Sequence, residues 1–100
     1  MDKKSIVAGN WKMNKTPFEG KRFIRDVDDM VKDINFTEII FFPAFTGLLD
    51  HRLNIPFHLG AQNCHWETSG AFTGEISIDM LNECKVEYIL VGHSERRQLF

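Results

Sequence analysis

The sequence predicts an α/β protein built on a parallel sheet. Three observations carry that reading. Short β-branched or apolar runs begin near residues 5, 38, 57 and 88. Helical patterns or polar connections separate them, and strands that alternate with helices imply βαβ units. The second run, Glu38–Phe42 (EIIFF), is apolar throughout after its first residue and does not alternate. A strand covered on both faces reads this way, and such strands belong to parallel sheets.

The elements follow in chain order. Ser5–Ala8 (SIVA) is the first strand, ended by Gly9. Thr16-Pro17-Phe18-Glu19 opens a helix: Thr16 suits the cap, Pro17 the first helical position, and Glu19 completes a capping box. Phe23, Val27, Met30, Val31 and Ile34 recur at i, i+4, i+7, i+8 and i+11, which gives one apolar face. Lys21, Arg25, Asp28, Asp29 and Lys32 occupy the other faces, and the helix is expected to end near Asp33. Glu38–Phe42 is the second strand and stops at Pro43. Ala44–Leu53 is expected to be a short helix, weakened by Gly47. Phe57–Ala61 is the third strand.

Gln62–Ser77 is polar, carries glycines and has no periodicity. It is longer than most connections, and such loops are usually functional or interfacial. Ser77 suits the cap of a helix carrying Ile78, Leu81 and Cys84. Tyr88–Val91 (YILV) is the fourth strand, ended by Gly92, and Ser94-Glu95-Arg96-Arg97 looks like the start of a further helix.

The composition bounds the function. The chain has 100 residues, 43% hydrophobic and 26% charged, so residues 1–100 are expected to form a single globular domain. Twelve basic and 14 acidic side chains give 12 − 14 = −2. Neither a basic excess for nucleic acid nor an acidic block is present. The start, MDKKSIVAGN, lacks the apolar stretch of a secretory signal, and the longest apolar run, Ile39–Ala44, falls far short of a membrane span. Cys64 and Cys84 lack the paired spacing of a zinc site and read as thiols in a reducing compartment. A cytoplasmic protein is the expectation. Nine phenylalanines require burial. An open doubly wound sheet and a (β/α)8 barrel both fit this pattern, which does not choose between them.

In parallel α/β folds function lies beyond the carboxyl ends of the strands. Gly9-Asn10-Trp11-Lys12-Met13-Asn14 follows the first strand, Gln62-Asn63-Cys64-His65 the third and Gly92-His93-Ser94-Glu95-Arg96-Arg97 the fourth. The second is followed only by Pro43-Ala44-Phe45-Thr46, which offers little chemistry. Lys12 is the natural anion binder, with Trp11 placed to cover its stem. His93 stands between a strand end and a helix start, whose N–H groups disfavour its protonation. Glu95 suits a helix cap as well as a site. Arg96 and Arg97 read as scaffold or interface ion-pair partners. His51, His58 and His65 have no metal-ligand spacing and read as incidental, and no glycine-rich phosphate loop or nucleophile elbow is present.

Four motifs together carry a resemblance: Ala8–Asn14 (AGNWKMN), Gly60–Asn63 (GAQN), Gly70–Glu75 (GAFTGE) and Val91–Arg97 (VGHSERR). In this order and spacing, over essentially the whole chain, they resemble the triosephosphate isomerase family. The resemblance selects the barrel, of which four strands, about the first half, are present. It implies interconversion of dihydroxyacetone phosphate and glyceraldehyde 3-phosphate without metal or cofactor. It makes His93 a neutral electrophile toward the substrate oxygens, Lys12 the partner of phosphate and developing charge, Asn10 a substrate-positioning residue and Glu95 a supporting one. It also implies a homodimer in which the Gln62–Ser77 loop, with Phe72, Thr73 and Glu75, enters a second subunit near Asn10 and Lys12. The family's catalytic base, lid and final phosphate loops have no counterpart in these 100 residues. As a complete product the chain would instead be an inactive half-barrel acting only in binding or assembly. A different phosphosugar barrel enzyme is disfavoured by the Asn-x-Lys and His-Ser-Glu pairing.

Overall fold

The computed structural model describes residues 5–49 and 57–91. Its elements are β1 (Ser5–Asn10), α1 (Pro17–Val31), β2 (Thr37–Phe42), a 3-10 turn (Phe45–Leu48), β3 (His58–Ala61), α2 (Ile78–Glu83) and β4 (Tyr88–Ile89). The four strands are parallel and lie in the order β1-β2-β3-β4. That order never turns back on itself. A doubly wound sheet reverses its order at a switch point, so the sequential order is that of a barrel wall. All strand carboxyl ends then lie along one edge.

β1 runs two residues past the expected Ala8. Its ladder with β2 continues through Gly9 opposite Phe41 and Asn10 opposite Phe42. A glycine weakens a strand without ending it where the partner strand goes on. β2 and β3 begin within one residue of expectation, and β4 ends at Ile89 rather than Val91. The Ala44–Leu53 helix is not found among the described residues: they form a single 3-10 turn, Phe45–Leu48, with Gly47 N donating to Ala44 O at 2.8 Å. Residues 50–56 lie outside the description, as does the expected helix from Ser94.

α1 starts as the sequence implies. Thr16 Oγ1 accepts from Glu19 N at 3.2 Å, and Glu19 Oε1 accepts from Thr16 N at 2.9 Å. The bond from the Thr16 backbone, followed by that from its hydroxyl, holds the Glu19 carboxyl below the usual carboxylate range. The helix ends at Val31, with Lys32 as its cap, rather than near Asp33.

Its buried face also differs from expectation. Gly20 and Ile24 are buried and Val27 packs beside them, whereas Met30 is 81% exposed. The reason is Trp11. A Cβ on Gly20 would lie 2.8 Å from the indole Cζ3, so the helix docks through the one position thin enough to accept the ring.

Trp11, Ile24 and Phe41 form the layer between α1 and the sheet, with Ile39, Phe57 and Leu59 against them. Edge-on aromatic pairs knit it together: Trp11–Phe23 at 5.5 Å, Phe23–Phe41 at 5.9 Å and Phe41–Phe57 at 5.2 Å. Leu48, Ala61 and Leu81 make a second cluster, joined by Cys64, Ile76, Cys84 and Ile89. Successive strand residues face opposite ways, so Phe42 covers the other side of the sheet. There its ring lies over Gly60 with no room for a Cβ. Among the described residues, no helix is long and apolar enough to cross a membrane.

Candidate functional site

The carboxyl edge of the sheet is organised around the turn that follows β1. Trp11 N donates to Phe42 O at 3.1 Å, extending the ladder by one bond. Lys12 then takes a positive φ of 57°. A non-glycine residue rarely adopts that conformation, which costs of order 1–3 kcal/mol and persists only where surroundings enforce it. Two side chains do so. Asn10 Oδ1 accepts from Lys12 N at 2.9 Å. Gln62 Nε2 donates to Lys12 O at 2.8 Å and to Phe42 O at 2.9 Å. One amide therefore joins the ends of β2 and β3 to the turn that carries the lysine. Asn14 Nδ2 donates to Trp11 O at 2.8 Å and closes the turn behind it.

A cavity of about 260 Å³ opens at this edge, with Asn10, Lys12, Gln62, Asn63 and Gly74 among its lining residues. It combines one cationic side chain with several amides and an apolar floor that includes Leu48 and Leu90. Such a set suits a small anionic, hydroxylated ligand. The amine lying over the Trp11 indole is that of Lys15, at 5.9 Å, and it also stands 4.7 Å from the Phe23 ring. The Trp11 indole also packs on α1, against Gly20.

The Gln62–Ser77 segment leaves this edge and returns to it. His65 N donates to Ile76 O at 2.7 Å, and His65 bridges Ser77 as an isolated parallel pair, so the loop is closed at its root. Beyond the root, Trp66 is 81% and Phe72 41% exposed, and Thr73 is exposed beside it. Gly70 and Gly74 supply the left-handed positions, with φ of 135° and 90°. Glu75 folds back toward the root. Its Oε2 lies 3.5 Å from Asn63 Nδ2 and 3.7 Å from His65 Nδ1.

Asn10 and Lys12 are thus brought together, and Gly74 brings the Phe72–Glu75 loop to the same cavity. His51, His93, Glu95, Arg96 and Arg97 lie outside the described residues. Sequence reasoning named Gln62 only as a rim residue and gave it no role. Its two backbone acceptors belong to residues 20 and 50 positions away, and no local pattern signals them. His65, read as incidental, is enclosed by Trp66 and Phe72. His58, read the same way, has its Nδ1 2.8 Å from Glu87 Oε1 and its Nε2 3.7 Å from Glu38 Oε1. That cluster ties the amino-terminal edge of the sheet, away from the cavity. Among the described residues, no group of three or more His, Cys, Asp or Glu side chains is arranged to hold a metal ion.

Comparison with known proteins bears on the family and the fold. The family model described as triosephosphate isomerase matches residues 5–100. The chain is 50% identical to the triosephosphate isomerase of Alkaliphilus metalliredigens, covering 98% of this chain and 40% of that protein. It is 46% identical to that of Acetivibrio thermocellus, covering 100% and 41% respectively. A crystal structure of triosephosphate isomerase from Bartonella henselae superimposes with a TM-score of 0.76 at 33% identity, over 96% of this chain and 40% of that one. The chain therefore spans about 40% of the length of the relatives it matches.

Proposed function

The chain belongs to the triosephosphate isomerase family and carries four parallel strands of its barrel, and from that premise we propose that it supplies the electrophilic and phosphate-binding side of an isomerase interconverting dihydroxyacetone phosphate and glyceraldehyde 3-phosphate. The observation that carries this reading is Lys12, held at a positive φ by Asn10 and Gln62 at the mouth of the cavity. A strained backbone enforced by two side chains fixes where the ammonium group can reach, and fixed charge is what stabilises an enediolate and its phosphate.

Moving a proton between adjacent carbons requires a base and groups that stabilise charge on the two oxygens. In this proposal Lys12 balances the phosphate and the developing negative charge, and Asn10 positions the substrate and the Lys12 turn. His93 acts as a neutral hydrogen-bond donor to both oxygens, and Glu95 supports it. The base, the lid and the final phosphate loops belong to the part of the family's chain that these residues do not align with, so the 100 residues alone are inactive. The enzyme is a cytoplasmic homodimer. In it, Phe72, Thr73 and Glu75 enter a second copy near its Asn10 and Lys12.

The test is triose phosphate turnover by the full natural chain. Lys12→Ala is expected to abolish phosphosugar binding, and near-normal affinity would sink its assignment. His93→Gln is expected to lower turnover more than affinity, and unchanged turnover would remove its electrophilic role. Ordinary turnover by the isolated 100 residues would refute their inactivity.

A further inference from the structure

The His65 ring is packed inside the Gln62–Ser77 loop, between two aromatic side chains. Its side chain is only 11% exposed. Its Nε2 is buried and, among the described residues, has no hydrogen-bond partner. Burying an unpaired polar nitrogen is costly, and native structures hold few such atoms. The neighbours indicate what the imidazole does. Trp66 stacks on it at 4.2 Å with 28° between the planes, and Phe72 lies against it at 4.3 Å. Its Nδ1 faces Glu75 Oε2 at 3.7 Å.

The side chains that the His65 ring faces, Trp66, Phe72 and Glu75, stand at different points along one loop. His65 itself is fixed at the root by the bond from its N–H to Ile76 O. Phe72 stands near the tip, and a Cβ on Gly70 would come within 2.8 Å of its ring. The Phe72 ring is thus confined between the Gly70 backbone and the imidazole. Glu75 closes the return limb. His65 therefore transmits the position of the root to the side chains at the tip.

We infer that His65 is the positioning residue of the docking loop: it sets where Phe72 stands, and so how tightly one copy of the chain binds another. The inference rests on the proposed homodimer. The cavity edge offers a seat for such a tip, because Met13 is 94% and Phe45 45% exposed, and a two-fold pairing would bury tip and seat twice. His65 acts through Phe72 rather than touching the second copy.

The dimer dissociation constant of the full natural chain, measured by sedimentation equilibrium, tests this. His65→Ala is expected to raise it roughly 5- to 150-fold, the range that two aromatic pairs, one in each copy, are worth. In a Phe72→Ala background the same substitution is expected to change it less than about twofold, because the residue acted upon is gone. His65→Phe, which restores a ring between Trp66 and Phe72, is expected to recover most of the affinity. An unchanged constant for His65→Ala, an equal effect in both backgrounds, or no recovery by His65→Phe overturns the inference. A wild-type chain that stays monomeric at high concentration overturns the dimer reading itself, and the inference with it.

Discussion

Replacing Gly20 by alanine sets two effects of opposite sign against each other. In a helix interior alanine is favoured over glycine by about 1 kcal/mol. The added methyl, however, would lie 2.8 Å from Trp11 Cζ3 and 3.3 Å from Cη2. Carbon atoms pack at about 3.5–4 Å, so the indole must retreat by more than half an ångström. It has little room. Trp11 is 9% exposed, edge-on to Phe23 at 5.5 Å and tilted against Phe41 at 5.6 Å. Overpacking of this kind costs about 1–3 kcal/mol. Gly20→Ala is therefore expected to destabilise the full-length protein by ~0–2 kcal/mol in urea unfolding followed by circular dichroism. Trp11→Phe removes both clashing atoms. In that background the same substitution is expected to stabilise, by up to about 1 kcal/mol. The sign reversal is the diagnostic. A coupling below ~0.5 kcal/mol across the double-mutant cycle, or a gain of stability in the wild-type background, would refute the account of how α1 is docked.

Two further substitutions test other parts of the scaffold. Gly60→Ala drives a methyl into the Phe42 ring at Cε1, and that residue is 5% exposed. It is expected to lose about 1–3 kcal/mol or more in the same assay, with part recovered by adding Phe42→Leu; a loss under ~0.5 kcal/mol contradicts the packing. Thr16→Ala removes the hydroxyl of the capping box and is expected to lower stability by ~1 kcal/mol. The Glu19 carboxyl is held below its ordinary value by Thr16. Its contribution is therefore present above that ordinary value and fades as pH falls through the lowered one. Glu19→Gln should show a smaller drop in urea midpoint than wild type between about pH 7 and about pH 3, and parallel acid limbs would argue against the pairing.

What could be read from the sequence was what is local. The Thr16–Glu19 capping box spans four consecutive residues, and its bonds form as expected. The unbroken apolar run of β2 announced a strand covered on both sides, and the order β1-β2-β3-β4 fits the barrel that the motifs implied. The α1 face was mis-phased because a glycine carries no hydropathy signal, yet Gly20 is where the helix meets Trp11. The end of β1 was set at Gly9 because glycine reads as a stop, whereas the partner strand carries pairing on to Asn10. At the site, residue types could be read but not conformation. Nothing in Asn10-Trp11-Lys12 signals a positive φ, and the amide that enforces it lies 50 residues away. His65 looked incidental for the same reason: its ring contacts Phe72 through a loop whose path has no period.

The Gln62 amide has a mechanical consequence. By holding both Phe42 O and Lys12 O, it makes the sheet, rather than the flanking loop, the datum from which the lysine is measured. Any displacement of β2 against β3 is therefore geared into the Lys12 backbone. A substitution that shifts one strand against the other misplaces a charge that it never touches.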